Sequence, residues 1–230
     1  MVNSESSDIP VVTIDGPSGV GKGTTASLLA QALDWHLLDS GALYRLLALS
    51  AMRAGVAPEE EARLETMAQS LAVRFEAGEG EQRVLLAGED VSREIRTEDC
   101  GTMASRIAAV PGARRGLVKL QKDFRQAPGL VADGRDMGTT IFPDAPLKIF
   151  LTASPAERAL RRHKQLKEKG IDANVGELEV AIAERDRRDA ERSTSPLKPA
   201  DDAVRIDTTE LSINQVLDRV LSLVKERLDG

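Results

Sequence analysis

Along this chain, short apolar runs alternate with stretches in which apolar residues recur every three to four positions. The runs are Val11–Ile14, His36–Leu38, Leu130–Ala132, Leu147–Leu151 and Ala203–Ile206. Segments with helical spacing lie near residues 22–33, 42–54, 112–126, 154–169 and 212–228. Nearly continuous apolar runs suit strands buried on both faces, and helical crossovers between them suit parallel pairing. The alternation predicts an α/β domain whose central parallel sheet, of about five strands, is flanked by helices. Ligands of such sheets bind at the carboxyl ends of the strands. Those ends carry the reactive residue types here: Asp15-Gly16, Asp39-Ser40-Gly41, Asp133-Gly134-Arg135-Asp136 and Asp207.

Two regions break the rhythm. Between Pro58 and Val110, the segments Leu71–Ala77 and Arg83–Ala87 read as strands around Gly78-Glu79-Gly80-Glu81, a hairpin pattern, with a further short strand at Asp90–Ser92. The expected organisation is a polar tail over 1–8, a core over 9–57 and 111–230, and an inserted β-containing subdomain over 58–110. The second region, Arg158 to Arg192, is dense in charge, and Gly170 divides it into two helices.

The most informative stretch is Ile14-Asp15-Gly16-Pro17-Ser18-Gly19-Val20-Gly21-Lys22-Gly23-Thr24-Thr25. It runs from an apolar strand through a glycine-rich turn and a lysine into a helix, the order that a phosphate-binding loop requires. Glycines let the backbone curl around an oxyanion, helix N-terminal N–H groups converge on it, and Lys22 adds a positive charge. Gly23 stands where most such loops carry Ser or Thr, and the hydroxyl is displaced to Thr24. That Gly-Lys-Gly-Thr form resembles nucleoside monophosphate kinases more than GTPases or motor ATPases.

Composition narrows the field. Hydrophobic residues make up 41% and charged residues 30% of the 230, while aromatics are only 3%, so Leu, Ala, Val and Ile must build the core. A net charge of −6 argues against a sequence-independent nucleic-acid binder. One cysteine, Cys100, excludes an intrachain disulfide and suits a reducing compartment. The two histidines, His36 and His163, make no zinc cluster with it. No apolar stretch approaches membrane-spanning length, and residues 1–8 lack the basic and apolar regions of a signal peptide. A cytoplasmic protein is expected.

Three further constellations each admit a plain and a functional reading. Ser40 begins a helix after the second strand, with Arg45 one turn on; by itself this favours simple capping beside a surface arginine, while a second phosphate site is the alternative. In Val131–Thr139, Asp133 closes a strand where a carboxylate can hold Mg²⁺ through water, and Arg135 can clamp a phosphate bidentately. A polar turn would leave that packing of charges unexplained. On the helices, Arg158, Arg161, Arg162 and the run Glu184 to Arg192 are compatible with solvated salt bridges, worth little. They also supply the guanidinium groups that phosphoryl transfer needs.

Together the motifs resemble the bacterial cytidylate kinases, over nearly the whole chain beyond the first eight residues. The segments that carry the resemblance are Ile14–Thr24, His36–Arg45, Ala132–Thr139 and Glu184–Asp189. It implies the phosphate-loop kinase fold, with a monophosphate-binding insert, a helical lid over about 158–192, and a monomer. ATP phosphates would be held by Gly16, Pro17, Ser18, Gly19, Val20, Gly21, Lys22, Gly23 and Thr24. The phosphate of CMP or dCMP would be held by Ser40, Arg45 and Arg135, the cytosine edge by Ser105, Arg114 and Arg192, and the ribose by Arg185 and Asp189. Asp136 would touch the sugar or orient Arg135. Arg158 and Arg162 would belong to the lid, and Asp133 with Thr24 to the magnesium shell. Lys22, Asp133, Arg135, Arg158 and Arg162 are the residues this resemblance makes catalytic. Competing readings are a kinase for another monophosphate or metabolite, a nucleotide-dependent switch or ATPase, and a degenerate scaffold. The chain lacks an Asn-Lys-x-Asp base-reading motif, and Asp133 is followed by Gly134 rather than Glu.

Overall fold

The computed structural model describes residues 9–76, 83–168 and 170–228. The expected tail over 1–8 and the turn at 78–81 lie outside them. In chain order the elements are β1 (Val11–Asp15), α1 (Lys22–Leu33), β2 (His36–Asp39), α2 (Ser40–Arg53), α3 (Glu61–Gln69), β3 (Val73–Glu76), β4 (Arg83–Leu86) and β5 (Glu89–Asp90). They continue with α4 (Glu98–Ile107), α5 (Pro111–Lys122), β6 (Leu130–Gly134), β7 (Leu147–Thr152), α6 (Pro155–Glu168), α7 (Val175–Glu191), β8 (Val204–Asp207) and α8 (Ile213–Leu228). The chain forms two compact units. Ser40–Asp123 is one, and the rest of the chain is the other.

The larger unit holds a five-stranded parallel sheet in the order β2-β6-β1-β7-β8. The central strand β1 is buried along its whole length, as its Val-Val-Thr-Ile run anticipates. Val12, Ile14, Val131, Ile149, Leu151 and Ile206 pack with Leu29 of α1 and with Val216, Val220 and Val224 of α8. The register sets Ile14 opposite Asp133 and Asp15 opposite Gly134, so the phosphate loop and the Asp133-Gly134-Arg135 segment leave neighbouring strands at the same edge. This placement turns two motifs far apart in sequence into one site.

The smaller unit contains the antiparallel sheet β3-β4-β5 and helices α2 to α5. It is wider than the 58–110 segment expected from the pattern, because α2 and α5 bury their apolar faces within it. Two helices, α3 and α4, go beyond the strands read from the sequence. In α3 only Leu64 and Ala68 are buried, too few to print a periodic stripe. In α4 an internal glycine weakens the helical signal, but Thr97 caps the helix by accepting from Cys100 N–H.

Candidate active site

The phosphate loop leaves β1 through Gly16, whose φ of 146° and whose approach to the Leu151 carbonyl leave no room for a side chain: a Cβ there would stand 2.2 Å from that oxygen. Gly21, at φ 93°, gives the left-handed turn into α1. The loop is braced from outside. Thr208 Oγ1 donates to the Val20 carbonyl at 3.1 Å, and Thr25 Oγ1 to Gly21 at 3.0 Å. Lys22 opens α1, is buried, and donates from Nζ to the Pro17 carbonyl at 2.8 Å. Thr24 is exposed on the first turn of α1.

Burial pulls the Lys22 ammonium down from its ordinary range, and the charges of Arg135 and then Arg185 add to that; Asp133 and Asp15 oppose it. Burial likewise pushes the Asp133 carboxyl up, against the pull of Lys22. Charges of both signs thus surround one buried amine at the phosphate loop. Asp133 faces the start of α1: a Cβ at Gly23 would lie 3.4 Å from its Oδ2.

The sequence places Asp15 at a strand end where ligands bind but assigns it no partner; Asp15 proves to clasp the neighbouring segment. Its Oδ1 accepts from Met137 N–H at 2.9 Å and its Oδ2 from Gly138 N–H at 2.8 Å, fixing the π-helical turn Met137–Ile141 that follows Arg135-Asp136. A strand-terminal acid before a glycine was the available signal. Burial outweighs both amide bonds and raises its carboxyl from 3.8 to about 6. The folded state therefore binds this proton more tightly than the unfolded chain. Its stabilising effect is complete below about pH 3.8 and is lost as pH rises through about 6, at up to ~1.4 kcal/mol per pH unit, about 3 kcal/mol in all. Replacing Asp15 with asparagine is expected to remove that slope, so that stability relative to wild type improves from pH 4 to pH 6.5 in urea unfolding. A constant difference across that range would refute the raised carboxyl.

The helical arginines are brought to this edge as well. Arg135 Nε donates to Asp189 Oδ2 on α7 at 3.1 Å. Arg158, buried on α6, donates to the Ser18 carbonyl of the loop at 3.2 Å and to Asp186 Oδ2 at 2.6 Å. Arg192 Nη2 lies 3.9 Å from Asp136 Oδ1, both side chains almost fully buried, and its Nε donates to the Ser195 carbonyl. These charges are not the solvated face that an isolated run would make. Arg162 is half-buried and donates to Gln165 of its own helix at 3.5 Å, while Arg161 binds Glu157 and the Thr208 carbonyl.

The smaller unit carries the remaining predicted residues. Ser40 is the first residue of α2, and its Oγ donates to Gln121 Oε1 at 2.8 Å; the hydroxyl is oriented by α5 rather than spent on the helix cap expected from sequence. Arg45 donates to the Ile95 and Thr97 carbonyls. Arg114, buried on α5, lies over the Tyr44 ring, with its guanidinium carbon 5.6 Å from the ring centroid, and donates to the Ala108 carbonyl. The Ser105 Oγ is buried with no hydrogen-bond partner among the described residues.

A phosphate loop on a parallel sheet, its lysine buried among arginines and a strand-end carboxylate beside it, defines a phosphate-loop phosphotransferase. The family model described as cytidylate kinase matches residues 12–226, and the chain belongs to that family. The cytidylate kinase of Nitrosococcus oceani is 61% identical over 218 residues, 94% of this chain and 96% of the relative. Those of Stutzerimonas stutzeri (57% over 222 residues, 95% and 96%) and Aeromonas hydrophila (55% over 219 residues, 95% and 95%) are comparably similar. Among the described residues, no helix is long and apolar enough to cross a membrane.

Proposed function

We infer that this protein is an ATP-dependent cytidylate kinase, which transfers the γ-phosphoryl group of ATP to CMP or dCMP and yields ADP with CDP or dCDP. The observation that carries the reading is the buried Lys22 of a phosphate loop whose Ser18 carbonyl accepts from Arg158, in a chain of the cytidylate kinase family. A group transferred with charge spread over three oxygens needs several fixed cations. The acceptor is the one named for the relatives and the family.

An oxygen of the CMP phosphate attacks the γ-phosphorus in line. A new P–O bond forms, the bond to the β–γ bridging oxygen breaks, and ADP leaves with that electron pair. The nucleophile is already anionic, so no strong base is needed, and positioning with charge neutralisation supplies the acceleration. Lys22 and the loop amides of Gly16–Thr24 bind the ATP phosphates. Arg135 bears on the transferring group and acceptor phosphate, and Arg158 with Arg162 closes the α6–α7 lid over ATP, which keeps water from competing.

The remaining contacts follow as proposals for single residues. Ser40 and Arg45 hold the acceptor phosphate; Ser105, Arg114 and Arg192 read the base; Arg185 and Asp189 serve the sugar, and Asp136 touches the sugar or orients Arg135. Asp133 suits a Mg²⁺ that arrives with the nucleotide. It is one hard carboxylate facing the turn that bears Thr24, and among the described residues no cluster of three or more His, Cys, Asp or Glu would hold a metal unaided. Such an ion would neutralise developing phosphate charge.

ADP release measured with ATP·Mg²⁺ against CMP, dCMP, UMP, AMP and GMP at equal concentrations tests the reading. Turnover should be strong with CMP and dCMP and weak with the purine monophosphates. ADP release that ignores the acceptor would move the protein to the ATPases.

A further inference from the structure

Gly101 is the fourth residue of α4, in a helical conformation open to any amino acid. Glycine is the poorest helix former apart from proline, so backbone geometry gives no reason for it there. Its neighbour does. A Cβ at this position would stand 2.8 Å from Arg45 Nη2, 3.0 Å from Nη1 and 3.1 Å from Cζ. The same guanidinium donates from Nη1 to the Ile95 carbonyl at 2.6 Å and to the Thr97 carbonyl at 3.2 Å, both just before α4. The adjacent Cys100 Sγ donates to the Arg45 carbonyl at 3.3 Å. The first turn of α4 and the segment before it therefore grip Arg45 at its backbone and at its charged end.

We propose that Gly101 is a positioning residue for the acceptor phosphate: the missing side chain lets the Arg45 guanidinium rest against α4, with Nη1 tied to two carbonyls and its other N–H groups directed to phosphate. The proposal rests on the reading of Arg45 as a CMP phosphate ligand. A planar fork recognises phosphate only when its orientation is held, and two carbonyls on one nitrogen hold it without neutralising its charge.

The test is Gly101→Ala, with Arg45→Ala and the double variant alongside. The three atoms nearest the added methyl all belong to the far end of the Arg45 side chain, so Arg45 can swing aside while the helix stays intact, and alanine is the better helix former. The melting temperature of Gly101→Ala should fall no further than that of Arg45→Ala, which loses the same two carbonyl bonds. The KM for CMP should rise about tenfold, as expected for one weakened charge-assisted hydrogen bond, while the KM for ATP changes less than about twofold. In the Arg45→Ala background, Gly101→Ala should add almost nothing, since both act through one guanidinium. An unchanged CMP KM in Gly101→Ala, with a large rise in Arg45→Ala, would overturn the positioning role alone. An unchanged CMP KM in Arg45→Ala would overturn the phosphate role of Arg45, and the proposal with it.

Discussion

Lys22→Met is expected to lower turnover by on the order of a hundred- to a thousandfold, the cost of losing one preorganised charge at a transferring group. Methionine keeps the apolar stem that fills the buried start of α1, so the change removes the ammonium and its bond to the Pro17 carbonyl with little loss of packing. Burial that depresses the free amine's proton affinity also excludes the water that would screen it once phosphate arrives. The charge is worth most where negative charge develops, so kcat should fall further than ATP affinity. Steady-state kinetics with calorimetric ATP binding would separate the two. Turnover within tenfold of wild type at saturating ATP would remove Lys22 from the reaction.

Arg135→Ala is expected to lower kcat by a similar factor of about a hundred to a thousand, again with near-normal ATP binding. Arg135 leaves the carboxyl end of β6 beside the loop, its Nε already oriented by Asp189, and its charge is felt at Lys22. Truncation also strands the Asp189 carboxylate, which is nearly buried, so the melting temperature should drop as well. Arg135→Lys restores a charge without the planar fork; it should recover stability more than rate. A near-normal rate for Arg135→Ala at saturating CMP would remove this residue from the transition state.

Much of this site is legible in the chain because its parts are local. The glycine loop, the lysine and the helix that follows are adjacent in sequence, and their hydrogen bonds close within a few residues, as Thr25 with Gly21 shows. The sheet is legible for a related reason: strands buried on both faces need continuous apolar runs, and β1, β6 and β7 have them. The small helices α3 and α4 lack such a stripe, and packing within their own unit stabilises them instead. The charged helices mislead for the opposite reason. A run such as Glu184 to Arg192 looks solvated in one dimension, yet Asp189 and Arg192 are buried and Arg158 reaches the phosphate loop.

The sequence by itself determined the α/β alternation, the phosphate loop and the residue types at each strand end, since these follow from backbone periodicity and short-range bonding. Only the tertiary structure decided which distant groups meet: Asp15 with the amides of Met137 and Gly138, Arg135 with Asp189, and Arg45 with the bare face of Gly101. Those pairings depend on strand register and helix packing, which bring together residues that share no periodic pattern along the chain.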